Sequence, residues 1–309
     1  MLSDFITIHD LSTYEFNEIL DLAQKMKEKP HKFRTHLQGK ILAMIFQKPS
    51  LRTRVTFEVG MLQLGGEAIY LAPADIQLGT RETPYDVAKN LERWVDGIMA
   101  RTFAHSIVVE LAEAARIPVV NALTDLLHPC QAMADFLTLK EKKGDLARLK
   151  LAYVGDGNNV CHSLMLAGAK AGTHIAVATP KGYEPKEEIV KQAQADGRES
   201  GFSLEITHDP VAAVKEADAV YTDVWASMGQ EHEKEQRAKI FAPFQVNQEL
   251  MAQAKPGALF MHCLPAHRGE EVTSEVIDSP QSVVFDQAEN RLHVQKAILS
   301  LLMSQKKSV

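Results

Sequence analysis

The chain has 309 residues, 45% hydrophobic and 24% charged, with a formal net charge of −6; this length suggests about two domains with sizeable cores, and the charge offers nucleic acid no general attraction while leaving room for a local basic pocket. Three cysteines, an odd count without disulfide-like spacing, fit a reducing compartment. No apolar run approaches about 18 residues, so no membrane span is expected, and Met1-Leu2-Ser3-Asp4-Phe5 carries neither a signal nor a transit pattern, which makes the cytoplasm the expected location.

Residues His9 to Lys27 carry a helical pattern, with Asp10 or Ser12 as its cap. Ile41 to Phe46 is an apolar, strand-like run. After it comes Gln47-Lys48-Pro49-Ser50-Leu51-Arg52-Thr53-Arg54, and then Val55 to Leu62, which reads as a helix stopped by Gly65-Gly66. Ser50 is the candidate N-cap. A helix start offers unpaired N–H groups and partial positive charge; two hydroxyls (Ser50, Thr53) and two guanidiniums (Arg52, Arg54) in the same turn make it a receptor for a phosphate or similar oxyanion. The plainer alternative is a capped helix with solvated arginines.

Glu67 to Leu71 is the next strand, completing a βαβ unit and arguing for a parallel sheet. Pro73 to Tyr85, with Gln77-Leu78-Gly79-Thr80, is polar and aperiodic and is expected to be an exposed loop. Asp86 to Val95 is a helix and Gly97 to Arg101 a strand; Ser106 to Ala115 is a helix and Pro118 to Ala122 a strand. Leu126-Leu127-His128-Pro129-Cys130-Gln131 leads into a helix over 132–143.

Lys140 to Asp145 is a charge-rich breaker, placing a domain boundary at 143/144. A second α/β pattern follows. Leu149 to Val154 is a strand, Gly155-Asp156-Gly157-Asn158-Asn159 a turn, Val160 to Ala171 a helix and His174 to Ala178 a strand. Pro180 to Gly201 is loop plus helix; Leu204 to Thr207 and Ala219 to Thr222 are strands. Asp223-Val224-Trp225 and a charged segment over 231–239 come next. Ala258 to Met261 is a strand delivering His262-Cys263-Leu264-Pro265, Ser282 to Phe285 is the last strand, and Glu289 to Met303 is the last helix. The expected class is α/β: two halves of similar size, each a parallel sheet flanked by helices.

Every conspicuous polar cluster follows a strand: Ser50–Arg54, Arg101, His128–Gln131, Asp156–Asn159, Asp223–Met228 and His262–Leu264. Ligands of open parallel sheets bind at the carboxyl ends of the strands. Gly155-Asp156-Gly157 has Val160 where a dinucleotide fingerprint needs glycine, so a tight strand-to-helix turn is the better reading than NAD binding. Each cysteine neighbours a histidine (His128/Cys130, Cys161/His162, His262/Cys263), but no C-x-x-C or H-x-x-x-H spacing supports zinc. Asp223 reads equally as a cap or as a ligand for a substrate ammonium.

Taken in order along essentially the whole chain, these clusters resemble the aspartate/ornithine carbamoyltransferase family. Ser50-Leu51-Arg52-Thr53-Arg54 is similar to its S-x-R-T-R motif, with Leu51 where Thr is frequent, and His128-Pro129-Cys130-Gln131 to its H-P-x-Q motif. Asp223 to Gly229, containing Ser227-Met228-Gly229, and His262-Cys263-Leu264-Pro265 resemble segments of the ornithine-type members. Phe285 to Arg291 resembles the entry to the terminal helix.

The resemblance implies transfer of the carbamoyl group of carbamoyl phosphate to the δ-amine of L-ornithine, giving L-citrulline and phosphate in arginine metabolism, with no metal or organic cofactor. It implies a carbamoyl-phosphate domain over 1–143, completed by a C-terminal helix (289–309) that returns to it, and an ornithine domain over 144–288. Ser50, the Leu51 main chain, Arg52 and Thr53 would hold the phosphate, and Arg101 would bridge phosphate and carbonyl oxygen. His128 and Arg291 would polarise the carbonyl, and Gln131 and the Leu264 main chain would hold the carbamoyl NH₂. Asn159, Asp223, Ser227 and the Met228 main chain would hold the α-amino and carboxylate ends of ornithine. Cys263 would orient the δ-amine beside the carbamoyl group. Gln77 would reach a neighbouring subunit's site in a homotrimer with shared active sites, further assembly of trimers being left open. Rival readings are a sibling transferase acting on putrescine or an acylated ornithine, a non-catalytic scaffold, and a nucleotide-dependent oxidoreductase.

Overall fold

The computed structural model describes residues 2–226 and 231–304. It divides into two compact units, Met1–Leu137 with Glu289–Val309, and Thr138–Ala288. Both divisions fall inside helices, Pro129–Lys143 and Val284–Met303.

The first unit holds a four-stranded sheet, with β1 (Ile41–Phe46), β2 (Glu67–Leu71), β3 (Gly97–Arg101) and β4 (Val119–Leu123) in the order β2-β1-β3-β4. All pairs are parallel. The central strands are buried nearly throughout, whereas the edge strand β2 is half-exposed. That contrast explains why β1 reads as a continuous apolar run: helices cover both faces of a central parallel strand. Ile45, Ile98, Ala100, Val108, Leu111 and Val119 share one core.

The second unit holds five parallel strands, β5 (Lys150–Val154), β6 (His174–Ala178), β7 (Ser203–Thr207), β8 (Ala219–Thr222) and β9 (Leu259–His262), in the order β7-β6-β5-β8-β9. Its core packs Val154, Val214, Val220, Val246, Phe260 and Val272 together. In each sheet the strand order reverses once, between β1 and β3 and between β5 and β8. Side chains at such a switch point are free to surround a ligand, because the flanking helices diverge to opposite faces.

The first helix runs Thr13–Glu28. Ser12, the second of the two expected caps, closes a capping box with Glu15. The last helix returns to the first unit: Asn290 Oδ1 accepts from Lys27 Nζ at 2.9 Å, Gln63 Oε1 from Lys296 Nζ at 2.9 Å, and Ser300 Oγ lies 2.9 Å from His36 Nδ1.

Three expected elements differ. The strand expected over 282–285 is reduced to a single bridge between Ser282 and Phe260, with Val283 N–H donating to the Phe260 carbonyl at 3.0 Å; the helix already begins at Val284. A short β-branched run cannot be told from a helix start by periodicity. The loop expected over 73–85 contains a helical turn, Pro73–Ile76, stapled by Asp75 Oδ2 accepting from Ala72 N at 2.7 Å. The charged segment is a helix, Lys234–Phe241, whose inner side includes Arg237 and Phe241. No helix among the described residues is long and apolar enough to cross a membrane.

Candidate active site

The helix that follows β1 starts at Leu51. Ser50 stands before it with extended backbone (φ −163°), and its hydroxyl accepts from Thr53 N–H at 3.2 Å. This is the expected N-cap; besides the N–H that Ser50 takes, the first turn of a helix has N–H groups with no partner within the helix. Leu51 presents its side chain to solvent, consistent with a role confined to its main chain. One expectation needs correction: Arg54 does not crowd the turn with Arg52. Its guanidinium lies 3.9 Å from the centroid of the Tyr70 ring and 3.7 Å from Glu58 Oε2. An α-helix rotates by about 100° per residue, so residues two apart face away from each other.

Thr53 is the meeting point of the first unit. Its Oγ1 accepts from Arg101 Nη1, at the end of β3, at 3.4 Å and from Arg291 Nη2, on the last helix, at 3.4 Å. Arg291 Nη1 donates to Gln131 Oε1 at 2.7 Å, and Gln131 Nε2 donates to Asp135 Oδ1 at 2.8 Å. With its amide oxygen turned toward the guanidinium, Gln295 accepts from Arg291 Nη2 at 2.9 Å and Nε at 3.2 Å, and its nitrogen donates to Thr56 Oγ1 at 2.6 Å. Thr53, Arg101, Gln131 and Arg291 are therefore one buried network, whose fork-shaped donors are held before any ligand arrives.

His128 is buried among the same charges. Burial, and then Arg291, Arg101 and Arg52 in that order, hold its imidazole well below the usual histidine range. It is a neutral ring at pH 7, able to donate one hydrogen bond but not carrying a proton to give away. Cys130 is different: its Sγ points to the Asn121 carbonyl at 3.4 Å, and burial pushes its thiol up to about 12.

In the second unit, Asn158 caps the helix Asn159–Ala171, its Oδ1 accepting from Val160 N at 2.9 Å and Cys161 N at 3.1 Å. Its Nδ2 donates to Asp223 Oδ2 at 2.8 Å, and the Tyr153 hydroxyl donates to its Oδ1 at 3.2 Å. Asp223 Oδ1 accepts from Val224 N at 2.8 Å and from Cys263 Sγ at 3.0 Å. The ends of β5, β8 and β9 thus converge on one nearly buried carboxylate. Leu264 adopts φ 59° while its N–H donates to His262 Nδ1 at 2.8 Å; His262 Nε2 faces Glu271 Oε1 at 3.2 Å.

Gly155-Asp156-Gly157 is a tight turn. Gly155 has φ 147°, and a Cβ at Gly157 would lie 2.3 Å from Pro185 N and 2.6 Å from the Tyr183 carbonyl oxygen. The glycines accommodate the chain's own neighbouring loop, not a pyrophosphate. Among the described residues, two trios have ligand atoms close enough for a metal ion, Asp223/His262/Cys263 and His267/Glu270/Glu271. Internal partners already engage them: both His262 nitrogens are used as described, and Glu270 holds Lys234 Nζ at 2.9 Å.

Asn159 starts its helix beside the cap, so it is placed at the same strand end as Asp223's partner. Gln77 takes left-handed backbone (φ 44°) at the end of the 73–76 turn, on a groove also lined by Phe46, Gln47, Leu78 and Phe103. Ser227 and Met228 lie outside the described residues. Sequence reading missed the part played by Gln295 and the bond from Asn158 to Asp223. Gln295 could have been found by its spacing, one helical turn after Arg291.

Comparison with known proteins agrees with both halves. Residues 3–141 match the family model described as aspartate/ornithine carbamoyltransferase, carbamoyl-P binding domain, and residues 147–302 match the one described as aspartate/ornithine carbamoyltransferase, Asp/Orn binding domain. An ornithine carbamoyltransferase of Thermococcus kodakarensis is 59% identical over 305 residues, covering 97% of this chain and 96% of the relative. An anabolic ornithine carbamoyltransferase of Pyrococcus furiosus is 58% identical over 305 residues, covering 97% and 96%. Among solved structures, ornithine carbamoyltransferase from Pyrococcus furiosus superposes with a TM-score of 0.95 at 57% identity, covering 98% of this chain and 99% of that one. The Thermus thermophilus enzyme superposes at 0.88 with 49% identity, again covering 98% and 99%.

Proposed function

The chain belongs to the aspartate/ornithine carbamoyltransferase family, and from that premise we propose that it transfers the carbamoyl group of carbamoyl phosphate to the δ-amine of L-ornithine, releasing L-citrulline and phosphate. The observation that carries this reading is the pair of guanidiniums, Arg101 and Arg291, both donating to Thr53 at a capped helix start in the unit that matches the carbamoyl-P binding domain.

In this reading a donor domain over 1–143, completed by 289–309, binds carbamoyl phosphate. Ser50, the Leu51 main chain, Arg52 and Thr53 hold the phosphate, whose charge suits the N–H groups and partial positive charge of a helix start. Arg101, His128 and Arg291 face the carbonyl oxygen, Gln131 and the Leu264 main chain hold the NH₂, and Gln77 serves the site of a neighbouring subunit in a homotrimer. An acceptor domain over 144–288 binds ornithine through Asn159, Asp223, Ser227 and Met228, with Cys263 orienting the reacting amine.

The neutral δ-amine attacks the carbamoyl carbon, and negative charge develops on the carbonyl oxygen. Donors already fixed in place cost no reorganisation at that moment, and one such donor is typically worth about 3 kcal/mol. Collapse breaks the bond from carbon to the phosphate oxygen. The amine's proton passes to the departing phosphate, whose negative charge the Arg52 turn offsets. The neutral state of His128 fits this role, because it adds a directed N–H without adding a fourth positive charge beside three guanidiniums. The anabolic name of the Pyrococcus furiosus relative favours a biosynthetic role, and a cytoplasmic location is proposed with it.

The test is citrulline formation from carbamoyl phosphate and L-ornithine, with putrescine and N-acetylornithine as competing acceptors. Ornithine is expected to be used and the other two rejected, since in this reading Asp223 takes the free α-ammonium that N-acetylornithine lacks, and the same group of residues takes the α-carboxylate that putrescine lacks. Preferential use of putrescine or acetylornithine would overturn the choice of acceptor; no transfer at all would overturn the activity.

A further inference from the structure

Arg237 lies on the helix Lys234–Phe241, in a segment whose composition suggests nothing but a solvated face. Its side chain is nevertheless only 7% exposed. Nη1 donates to Asp156 Oδ2 at 3.0 Å and to the Trp225 carbonyl at 2.8 Å, and Nε donates to Glu233 Oε2 at 2.8 Å. The guanidinium carbon sits 4.9 Å from the centre of the Tyr183 ring. One side chain therefore ties together the turn after β5, the segment after β8, and the loop whose Tyr183 carbonyl accepts the Gly157 N–H at 2.9 Å.

Those segments carry the acceptor residues. Asp156 precedes Asn158 and Asn159 in the same turn; Trp225 follows Asp223 on the same strand end. From this geometry we propose that Arg237 is a positioning residue for the amino-acid acceptor: it sets the spacing between the Asn159 and Asp223 strand ends without touching substrate itself. The proposal rests on the acceptor reading given above.

Stability alone does not account for a charge at this place. Replacing a buried ion pair by well-packed apolar groups is often neutral or stabilising. What only arginine supplies is a rigid planar fork that reaches several acceptors in fixed directions; lysine offers a mobile point charge. Asp156 is costly to keep ionised here, since burial pushes its carboxyl up to about 6 in spite of the Arg237 charge, with Asp223 and Glu233 adding repulsion. An arrangement this expensive that ends on a main-chain carbonyl, two residues from Asp223, is suited to fixing geometry.

The test uses the full chain with Arg237→Met, Arg237→Lys and Asp156→Asn, each checked by thermal melting, and citrulline formation with ornithine and carbamoyl phosphate varied in turn. Arg237→Met is expected to raise KM for ornithine by about tenfold, equivalent to about 1.4 kcal/mol, while KM for carbamoyl phosphate stays within about twofold. Arg237→Lys is expected to fall between Arg237→Met and the native enzyme. Arg237→Lys keeps the charge, so it reads the missing fork even where Arg237→Met folds poorly. Equal loss for both substrates, or an unchanged KM for ornithine in folded Arg237→Lys, would overturn the proposal. Failure of the native enzyme to carbamoylate ornithine would instead overturn the acceptor reading.

Discussion

Replacing His128 by Asn tests the electrostatics of the first unit in two independent ways. The imidazole is held neutral by burial and by Arg291, Arg101 and Arg52, so its folded pKa lies below the value of about 6.5 that it has in the unfolded chain. Between those two values the unfolded chain binds more protons than the folded one, and stability therefore falls as pH falls below about 6.5. The limiting slope for one such group is about 1.4 kcal/mol per pH unit. Asn cannot titrate, so the urea-unfolding free energy of His128→Asn should fall less steeply between pH 6.5 and 5, converging on the native enzyme by up to about 2 kcal/mol over that interval. Other buried groups, such as His293 with its imidazole pushed down to about 4 by burial, act on both proteins alike and cancel in the difference. The second readout is kinetic. Asn retains an N–H donor, whereas Phe removes it, so His128→Phe should lose about 10²–10³ in kcat and His128→Asn less. The acid limb of the native pH–rate profile should persist in His128→Asn, because a neutral ring does not generate it. Parallel stability lines for native and His128→Asn proteins would refute the neutral-histidine argument.

Arg52→Ala should lose carbamoyl-phosphate binding and turnover together, since the phosphate is held in both ground and transition states; normal turnover in steady-state assays would remove Arg52 from the site. Among the cysteines, Cys130 and Cys161 are buried, with burial pushing both thiols up, while Cys263 is only partly buried. Iodoacetamide should therefore modify Cys263 first, as read by peptide mass spectrometry, with carbamoyl phosphate and an ornithine analogue slowing it. Cys263→Ser should change kcat and its pH profile without abolishing turnover, and trapping a carbamoyl thioester on Cys263 would contradict an orienting role. Gly157→Ala must displace backbone atoms of residues 183–185, and a loss of more than about 2 kcal/mol is expected in urea unfolding; unchanged stability would show that this loop yields freely.

The strand ends were legible because parallel strands write their burial into continuous apolar runs, and the polar clusters that follow stand out against them. Ser50, Arg101, His128 and Asp223 were found in this way. Arg54 was misplaced because composition within a turn carries no information about direction, and direction is what separates Arg52 from Arg54. The strand expected over 282–285 failed for a related reason: two valines fit a strand and a helix start equally well. Arg237 was invisible as a site-shaping group because Lys234, Glu235 and Lys239 on the same helix, Lys234–Phe241, are charged and exposed. Only the fold, which brings Asp156, Trp225 and Tyr183 around it, separates it from them. Asn158 was legible as a polar residue after a strand, but its attachment to Asp223 depends on the β5–β8 pairing, which skips the two intervening strands, β6 and β7.

The proposed reaction asks the acceptor site to treat two amines of one molecule differently. The α-ammonium should remain charged to be held, and the δ-amine must lose its proton to attack, although a lysine-like amine has a pKa of about 10.4 in water. A bare carboxylate beside both would favour the ammonium form of each. Asp223 is not bare: Asn158 Nδ2, Val224 N and Cys263 Sγ already donate to it. Its free acceptor capacity is thereby restricted to particular directions, and Cys263, a weak donor and weak acceptor, occupies the direction it faces. A thiol there gives an incoming amine a soft neighbour instead of a second charge. Cys263→Asp should consequently raise KM little, because it adds attraction for a cation, yet cut kcat strongly, because that attraction stabilises the unreactive ammonium. Its rate should recover as pH rises toward the amine's own pKa. A loss of kcat that does not depend on pH would show that the thiol positions the amine without influencing its protonation.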